Sequence, residues 1–215
     1  MNIVPLKPKI YHIIHLDRLD SIIKEKFLYS DSIVSKKDLS GTMIGIDKIK
    51  KRRLNELRLN SNSQIFVGDC VPFYFCPRSI MLYLIHKHNL DETKHLSNGQ
   101  YEIIHLQADL YKTIEWADKN NIHWYFTTSN AGSYYFKDYG SLSYLNKLNW
   151  KAINSNDWVD NKEEKQAEFL IETKIPFELI EKIGVIDKMM YERTKKVLDN
   201  NNYNQIITIK RDWYY

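Results

Sequence analysis

The sequence predicts a mixed α/β, or α+β, fold, and three observations support this class. Short segments rich in β-branched and aromatic residues alternate with segments in which apolar residues recur at helical spacing. The length of 215 residues suits one domain, residues 1–215, with a core that needs no metal or disulfide. No internal repeat and no linker rich in Gly, Ser or Pro divides the chain. We therefore expect a single domain of interleaved helices and strands.

The first elements are a strand over residues 9–16 and a helix that begins after Asp17, which suits the N-cap position. Residues 29–41 are charged and turn-forming without clear periodicity, which indicates a loop. A second helix is expected from about Gly45, with the basic run at residues 48–53 on its polar face. The apolar faces of the two helices are Leu19, Ile22, Ile23 and Phe27, and Ile46, Ile49, Leu54 and Leu57, respectively.

Two short strands and a helix are expected next. Residues 64–67 and 71–76 form the strands, and the second is almost wholly apolar, which favours a central position in the sheet. Pro77 suits the first turn of the following helix, because the first helical N–H has no partner within the helix. The buried face of that helix is Ile80, Met81, Leu84 and Ile85.

The carboxyl-terminal half continues the alternation. Strands are predicted over residues 101–109 and 123–128, on either side of a short helix that ends near Asn120. Residues 131–165 are expected to form loops around one short helix near 142–148. The remaining predicted elements are a strand that contains Glu168, a turn at Pro176, a strand over 183–186, a helix over 188–200 and a strand over 205–210.

Several classes of protein are disfavoured because their motifs are absent. No apolar run approaches the roughly 20 residues of a membrane-spanning helix, and the amino terminus lacks the apolar region of a signal peptide. Gly-x-Gly-x-x-Gly, Gly-Lys-Ser/Thr and Gly-x-Ser-x-Gly are absent, which argues against a Rossmann site, a P-loop and a serine hydrolase. Cys70 and Cys76 have the spacing of neither a zinc pair nor a redox pair, so we expect buried thiols in a reducing cytoplasm.

Basic and aromatic residues bear on nucleic-acid binding. The net charge is only +4, but residues 48–53 read Lys-Ile-Lys-Lys-Arg-Arg, and the chain has 15 tyrosines, 8 phenylalanines and 5 tryptophans. Aromatic rings beside cations suit single strands, because bases stack on the rings and cations bind phosphates. A chain rich in tyrosine and asparagine is also what an AT-rich genome encodes, so both interpretations stay open.

Glu168 is the candidate catalytic carboxylate. It precedes the apolar run Phe169-Leu-Ile and follows a polar segment, residues 154–164, that is expected to form a mobile loop. A carboxylate at the mouth of a buried strand would be held rigidly enough for acid or electrostatic catalysis. An arginine of the 48–53 run turned inward would clamp a pyrophosphate, and the two groups could together stabilise a ribosyl cation. The alternative is a solvated glutamate and a solvated basic helix face.

His12 and His15 are the candidate histidines of the first strand. An i, i+3 spacing brings two side chains together on a helix but sends them to opposite faces of a strand, which argues against a shared metal ion. His12 is expected either to hydrogen-bond a ligand from the strand edge or to be a satisfied core histidine.

Several segments in a fixed order form a specific combination: residues 11–17, 44–53, 69–82, 126–131, 166–170 and 213–215. The most distinctive are Val71-Pro-Phe-Tyr-Phe and Gln166-Ala-Glu. Through these segments the chain, from about Tyr11 to its last residue, resembles the DarT family of NAD-dependent ADP-ribosyltransferase toxins. The resemblance implies a toxin that modifies a base in single-stranded DNA, blocks replication and is paired with a macrodomain antitoxin.

The resemblance implies an ADP-ribosyltransferase-like fold with a split central β-sheet flanked by helices, and with NAD, without a metal, in the cleft. Residues 30–56 correspond to the NAD-binding element and residues 131–167 to the substrate-recognition loop region. Glu168 corresponds to the essential glutamate and Arg53 to the essential arginine, with Arg52 as the competing assignment. Glu168 would stabilise the ribosyl cation, and Arg53 would hold the pyrophosphate or help the target base to lose its proton.

The first strand resembles the NAD-binding His-x-Thr motif of the family, with isoleucine in place of the threonine. The expected cofactor contacts are therefore His12, which the motif retains, together with Ile13 and Ile14, and Ser21 and Tyr29 are added by their spacing. Without the threonine hydroxyl, its contact with NAD is lost or is replaced by the backbone.

The resemblance makes a ring nitrogen of thymine the expected acceptor, with guanine and RNA as alternatives that share the chemistry. A base inside a duplex cannot enter such a cleft, which explains a preference for single strands. A catalytically silent nucleic-acid-binding domain is the alternative from a different class. The residues expected to grip the strand are Arg78, Tyr134, Tyr135, Tyr139 and Trp158, each of which could instead be an ordinary core or surface residue.

Overall fold

The computed structural model describes residues 3–87, 93–156 and 158–215. Within them the strands are β1 (Lys9–His15), β2 (Phe27–Tyr29), β3 (Cys70–Tyr74), β4 (Ile103–Asp109), β5 (Trp124–Thr127), β6 (Asp138–Tyr139), β7 (Glu168–Glu172), β8 (Lys174–Pro176), β9 (Ile180–Val185) and β10 (Ile207–Ile209). The α-helices are α1 (Leu19–Glu25), α2 (Asp31–Lys37), α3 (Asp47–Asn55), α4 (Ile80–Lys87), α5 (Leu110–Lys119), α6 (Trp150–Asn154) and α7 (Lys188–Asn200). Helices and strands are interleaved, so the predicted mixed α/β class is confirmed.

Eight of these strands form one sheet, in the order β10-β9-β4-β1-β3-β7-β5-β6, and β2 pairs with β8 in a separate two-stranded sheet. Neighbours in the large sheet are antiparallel except β10 and β9, which are parallel. Every residue of β4 is buried. A strand is buried along its whole length only where both faces of the sheet are covered.

The two faces of the sheet are covered by different helices. Ile14 of β1 packs in a core cluster with apolar residues of α1, α5 and α7, whereas its neighbour Ile13 packs with Leu82 and Ile85 of α4 and with Trp213. Successive strand residues point to opposite faces, so this separation follows from the alternation of side chains along β1. The sheet therefore lies between two layers of apolar packing.

The sheet splits between β1 and β3. In the described residues the two strands pair at one position, Tyr11 with Tyr74, whereas β3 pairs with β7 along its whole length. The carbonyl of Pro72 faces β1, where it accepts a hydrogen bond from His12 Nδ1. Proline has no N–H with which to continue the ladder on that side. The apolar segment 71–76 is thus central, as predicted, and its proline stands where the sheet opens.

Three expectations for the segment after β1 are wrong. Phe27, expected on the apolar face of the first helix, is the first residue of β2. Residues 29–41 are not a loop, since they contain the end of β2 and the helix α2, in which Val34 is the buried residue. A short helix with one buried residue has no apolar periodicity to recognise. Asp17 does not cap α1, because a 3-10 turn, Leu16–Arg18, intervenes and the Asp17 carboxylate accepts hydrogen bonds from Thr42 instead.

The helix predicted from Gly45 begins at Asp47, as α3, and none of its residues is fully buried. Ile46 and Leu57 are buried as predicted but lie outside the helix, and Ile49 lines a cavity. A helix that covers a cavity has both apolar and polar residues on its inner face. The prediction of a purely apolar inner face for α3 was therefore wrong.

The inner face of α4 differs from its prediction for the same reason. Leu82 and Ile85 are buried, whereas Met81 and Leu84 are half-buried and line the cavity. Elsewhere, residues 64–67 make an isolated β-bridge to Arg58 rather than a strand, because the chain turns at once into a 3-10 turn.

The remaining carboxyl-terminal elements follow the prediction in part, because residues 131–165 also contain β6 and α6, where loops around one short helix were expected. The helix over residues 188–200 is α7 with the predicted bounds. The expected turn at Pro176 is wrong in detail, since Pro176 is the last residue of β8 and a 3-10 turn follows it. The short helix expected near 142–148 is a 3-10 helix, Leu142–Lys147.

Both cysteines are buried free thiols, as the sequence predicts. Burial raises the pKa of the Cys76 thiol to about 11 and also raises that of Cys70, so neither is a reactive thiolate at neutral pH. In residues 3–87, 93–156 and 158–215, no helix is both long enough and apolar enough to cross a membrane.

Candidate active site

Glu168 and Arg53 meet at the wall of a cleft as a close ion pair. Arg53 donates through Nη1 and Nη2 to Glu168 Oε2, at 3.0 and 2.9 Å, and through Nη1 to Oε1 at 3.2 Å. The Glu168 side chain is only 2% exposed and that of Arg53 is 12% exposed. A bidentate contact fixes the relative orientation of the two groups, and low exposure strengthens their electrostatic interaction. The site therefore presents a rigid carboxylate with a fixed cation beside it.

The segment at the end of β5 holds Glu168 in place. The backbone N–H of Glu168 donates to Thr127 Oγ1 at 3.0 Å, and the Thr127 hydroxyl donates to the Ser129 carbonyl at 2.6 Å. The Ala131 N–H donates to Glu168 Oε1 at 3.0 Å. Thr127 and Ala131 are both fully buried. Residues 127–131 thus orient the carboxylate through its own backbone and through one of its oxygens.

Arg53, and not Arg52, faces Glu168. The Arg52 guanidinium donates to the Gly132 carbonyl and lies 4.8 Å from the centre of the Tyr134 ring. Successive residues of an α-helix are about 100° apart around its axis, so neighbouring arginines on α3 point in different directions. Of the two assignments that the sequence leaves open, the structure brings Arg53 to the carboxylate.

The ion pair shifts the ionisation of its neighbours. Burial by itself lowers the pKa of Arg53, but the facing Glu168 carboxylate outweighs this and the net pKa is raised. Burial, and after it the charge of Glu168, raises the pKa of Tyr74, which lies opposite Glu168 in the β3–β7 pair. At neutral pH the site therefore has a charged guanidinium and a neutral phenol that can donate a hydrogen bond.

A cavity of about 430 Å³ adjoins the pair at the split in the sheet. β1 supplies His12, Ile13 and Ile14, β3 supplies Pro72 and Tyr74, and α2, α3 and α4 supply further wall residues. The volume is within the range of sites that bind small molecules, about 300–1,000 Å³. Its walls are mostly apolar, with a few polar groups that enter at defined points.

His12 is an uncharged hydrogen-bonding group in this cavity. Its Nδ1 lies 2.6 Å from the carbonyl of Pro72, so Nδ1 carries the proton. Burial lowers the pKa of His12 to about 4, and the imidazole is therefore neutral at physiological pH. In this tautomer Nε2 is an acceptor. His15 lies apart, 2.9 Å from Asp17, so the two histidines have separate partners.

The other predicted cofactor residues divide by position. Ile13, Ile14 and Tyr29 line the cavity, as does Arg53. Ser21 does not line it, and its hydroxyl donates to the Arg18 and Ser40 carbonyls, at 2.9 and 3.4 Å. The described residues contain no group of three or more His, Cys, Asp or Glu that could hold a metal ion.

Four charged residues of the cavity, Arg18, Asp31, Lys50 and Lys162, were not predicted as site residues from the sequence. Arg18 lines the cavity and is 9% exposed, and Asp31 and Lys50 pair at 2.9 Å in its wall. Lys50 belongs to the basic run, so its charge was a visible signal. Arg18 stands alone between a strand and a helix, and no pattern in the sequence marks it as buried.

Two of the predicted DNA-binding residues lie together at a second cavity. Arg78 and Trp158 line a cavity of about 260 Å³, together with Lys165. The Arg78 guanidinium lies 4.3 Å from the centre of the Tyr215 ring, and Lys165 Nζ lies 5.1 Å from the centre of the Trp158 ring. Cations and rings are thus already in contact at this cavity.

The three predicted tyrosines lie elsewhere, between residues 134 and 139. Tyr134 and Tyr135 are 61% and 91% exposed, whereas the ring of Tyr139 stacks on Phe126 with centres 5.4 Å apart. Exposed aromatic rings are available to stack with bases, and Tyr139 is partly committed to the core.

Comparisons with known proteins bear on the family. The family model described as "ssDNA thymidine ADP-ribosyltransferase, DarT" matches residues 11–215. A protein of Thermus aquaticus named DNA ADP-ribosyl transferase is 32% identical over 213 residues, which are 98% of this chain and 90% of the relative.

Two solved structures of DarT from Thermus sp. 2.9 have the same fold. The complex with ADP-ribosylated single-stranded DNA has a TM-score of 0.86 at 29% identity and covers 100% of both chains. The complex with NAD⁺ has a TM-score of 0.83 at 28% identity and covers 99% of this chain and 100% of the other. The predicted fold, NAD dependence and transferase class are confirmed. The chain belongs to the DarT family of single-stranded-DNA thymidine ADP-ribosyltransferases.

Proposed function

We propose that this chain transfers ADP-ribose from NAD to a thymine base of single-stranded DNA, with Glu168 and Arg53 as the catalytic residues. The observation that carries the proposal is the bidentate Arg53–Glu168 contact beside a cavity of about 430 Å³. In the transfer, the C–N bond to nicotinamide breaks, a ring nitrogen of thymine forms the new bond, and the proton of that nitrogen leaves. Membership of the family supports this reaction.

Glu168 is the residue placed to stabilise the positive charge that develops on the ribose. Its carboxylate is almost fully buried, and the Ala131 N–H holds one oxygen while Arg53 holds both. A fixed charge in a low-dielectric site needs no reorganisation when the charge on the substrate changes, which is the main source of electrostatic catalysis. Arg53 keeps this orientation, and its positive charge would favour loss of the proton from the thymine nitrogen.

The chemistry of the cavity supports NAD as its ligand. Apolar walls suit the nicotinamide and adenine rings. His12, which is uncharged, offers a ring nitrogen that can accept a hydrogen bond from the ligand. Ile14 has no hydroxyl, so a contact at this position would come from the backbone. We assign residues 30–56 as the NAD-binding element, because α2 and α3 within this range form one wall of the cavity.

We assign the strand-binding surface to residues 131–167 together with Arg78. The segment after residue 157 supplies Trp158 to the second cavity and Gln166 to the first. Tyr11 and Tyr74, one at each cavity, are opposite each other across the β1–β3 pair, so the two cavities are neighbours. A strand with one base in the first cavity would have a flanking nucleotide at the second.

The biological setting follows from the family resemblance. A chain that modifies thymine in exposed single strands would block replication and act as a toxin in the cytoplasm. A macrodomain antitoxin, which removes or neutralises the modification, is the partner that we propose. The test is removal of ADP-ribose from the modified oligonucleotide by a purified macrodomain protein.

The function is tested by incubating the protein with NAD and short single-stranded oligonucleotides that differ in one modifiable base. Intact mass spectrometry is expected to show one added ADP-ribosyl unit on the thymine oligonucleotide. The adduct is expected to be absent when the complement is annealed, because the base is then stacked in a duplex. Glu168→Ala serves as the inactive control.

The other outcomes separate the alternatives. An adduct only on guanine, or only on RNA, would keep the chemistry and contradict thymine in DNA as the acceptor. The absence of any adduct, with strand binding retained, would contradict the transferase and favour a silent binding domain.

A further inference from the structure

Arg18 places a buried cation in the wall of the proposed NAD cavity. It ends the 3-10 turn between β1 and α1, is 9% exposed and lines the cavity. Its guanidinium contacts the sulfur of Met43, and no carboxylate of the described residues forms an ion pair with it. Burial lowers the pKa of Arg18, but an arginine remains charged at neutral pH. A cation kept largely out of water without a counterion costs free energy of folding, which calls for a functional reason.

The two carboxylates whose charges act on Arg18 are committed to other partners. Asp31 pairs with Lys50 Nζ at 2.9 Å. Asp17 accepts hydrogen bonds from the N–H and the hydroxyl of Thr42, at 3.0 and 2.6 Å. Both carboxylates raise the pKa of Arg18, yet burial outweighs them.

The cavity has a surplus of positive charge. Four of its lining side chains are cations and two are carboxylates. The paired groups are Lys50 with Asp31 and Arg53 with Glu168. Among the described residues, neither Arg18, which is buried, nor Lys162, which is exposed, forms an ion pair with a carboxylate. This surplus matches the double negative charge of a diphosphate bridge.

We propose that Arg18 binds the diphosphate of NAD, an inference that rests on the proposed function of this cavity. A guanidinium donates two parallel hydrogen bonds to phosphate oxygens, which a lysine cannot do. Arg53 was the arginine expected from the sequence to clamp the pyrophosphate, but both of its Nη atoms bind Glu168. Arg18 is the buried guanidinium of the cavity that no carboxylate of the described residues holds.

A close crossing of the chain holds Arg18 in position. Gly41 has a φ of +119°, and a Cβ there would lie 2.5 Å from Arg18 Cγ, so only glycine fits without a shift. The hydrogen bonds between Thr42 and Asp17 fix this crossing. The Ser21 hydroxyl donates to the carbonyl of Arg18 at 2.9 Å. A pre-positioned side chain loses less conformational freedom when it binds an anion.

The test compares the affinities of Arg18→Gln and Arg18→Lys for NAD, ADP and adenosine by calorimetry. We expect Arg18→Gln to bind NAD and ADP about 10- to 100-fold more weakly than the unmodified protein, because a charge-assisted hydrogen bond is lost. Its affinity for adenosine, which has no phosphate, should be unchanged. The affinities of Arg18→Lys for NAD and ADP are expected to lie between those of Arg18→Gln and the unmodified protein, because lysine keeps the positive charge but cannot donate two parallel hydrogen bonds. Arg193→Gln, which removes a surface arginine paired with Glu102, is the matched control and should change none of the three affinities.

Three outcomes would overturn the proposal. Arg18→Gln with unchanged affinity for ADP would show that Arg18 does not bind the diphosphate. An equal loss for adenosine would show a structural role. A loss of affinity for a thymine oligonucleotide without NAD, with ADP binding unchanged, would assign Arg18 to the DNA backbone. Arg18→Lys provides the same readouts if circular dichroism shows that Arg18→Gln is unfolded. Failure of the unmodified protein to modify DNA would contradict the proposed function alone, since ADP affinity is measured separately.

Discussion

Arg53 shows, at the scale of single residues, how a guanidinium holds the Glu168 carboxylate. Two Nη atoms hold the carboxylate at 2.9–3.2 Å, a geometry that a single ammonium group cannot reproduce. We expect Arg53→Lys to lower the rate of transfer about 100-fold while the protein stays folded, because charge is retained but orientation is lost. Product mass over time measures the rate. An unchanged rate would show that the bidentate contact between Arg53 and Glu168 is not required for transfer.

His12 predicts how stability depends on pH. Burial lowers its pKa from 6.5 to about 4, so between these values the unfolded state binds a proton that the folded state does not. The free energy of unfolding is therefore unaffected above pH 6.5 and falls as the pH decreases towards 4. Urea unfolding at about pH 7 and about pH 5 measures this loss.

A matched variant isolates the part that belongs to His12. Asparagine can keep the donor to the Pro72 carbonyl but does not titrate, so His12→Asn should lose less stability on acidification. The dependence should not vanish, because burial also lowers the pKa of His105 to about 4. Equal losses in both proteins would contradict the assignment to His12.

Thr127 illustrates, at the scale of elements, how the ends of neighbouring strands position the site. It ends β5 and accepts the backbone N–H of Glu168, the first residue of β7, at 3.0 Å. Thr127→Val keeps the shape but leaves that buried N–H without a partner, which should cost about 1–3 kcal/mol of stability. We also expect kcat to fall more than the KM for NAD rises, because the carboxylate loses its orientation.

Thr113 provides the control for this substitution. It is also fully buried, and its hydroxyl donates at 2.8 Å to the carbonyl of Asp109, the N-cap residue of α5; Thr113 does not line the cavity. Thr113→Val should therefore change stability without a change in the rate of transfer by the folded protein. The same loss of rate in both variants would show that the effect of Thr127 is one of general stability.

Elements with strong local signals were predictable from sequence, and those that depend on the cavity were not. β7 reads as a carboxylate before an apolar run, and α7 has a clear period and an Asp187 cap that accepts from the Met190 N–H. α2 was not predicted because only one of its residues, Val34, is buried, which leaves no apolar periodicity. The apolar face predicted for α3 was wrong because this helix covers a cavity instead of a core. Apolar periodicity indicates which face of a helix contacts a core, but it does not indicate which face lines a cavity.

The charge distribution of the whole molecule predicts how single strands bind. The net charge is only +4, so we expect strand binding to depend on local cations such as Arg78 at the second cavity. Arg78→Gln should weaken binding at every sequence and reduce the slope of log affinity against log salt by about 0.7, as one lost phosphate contact in a single strand implies. Fluorescence anisotropy over a salt series measures both, and NAD affinity should not change.

Arg193→Gln removes the same charge from α7 and should leave the slope unaltered. If both variants weaken binding equally, the effect of Arg78 is one of net charge and not of a contact. If Arg78→Gln changes the affinity but not the salt slope, Arg78 does not contact a phosphate.

The residues of the Arg53–Glu168 pair could be picked out from sequence, whereas the charge environment around them required the structure. Glu168 and an arginine of the basic run were recognisable from residue type and motif, and the register of α3 then decides between Arg52 and Arg53. Arg18 could not be recognised, because its burial depends on a distant segment, Gly41 to Met43, that crosses over it. Long-range packing of this kind leaves no local pattern.

The most direct test of the central claim is the transfer of ADP-ribose to a thymine oligonucleotide by Glu168→Gln, measured by mass together with NAD affinity. Glutamine preserves the shape of the side chain and part of its hydrogen bonding but removes the negative charge. We predict a loss of at least about 100-fold in the rate of transfer, with NAD still bound by a folded protein. Transfer by Glu168→Gln at the rate of the unmodified protein would contradict the claim that this carboxylate stabilises the charge on the ribose.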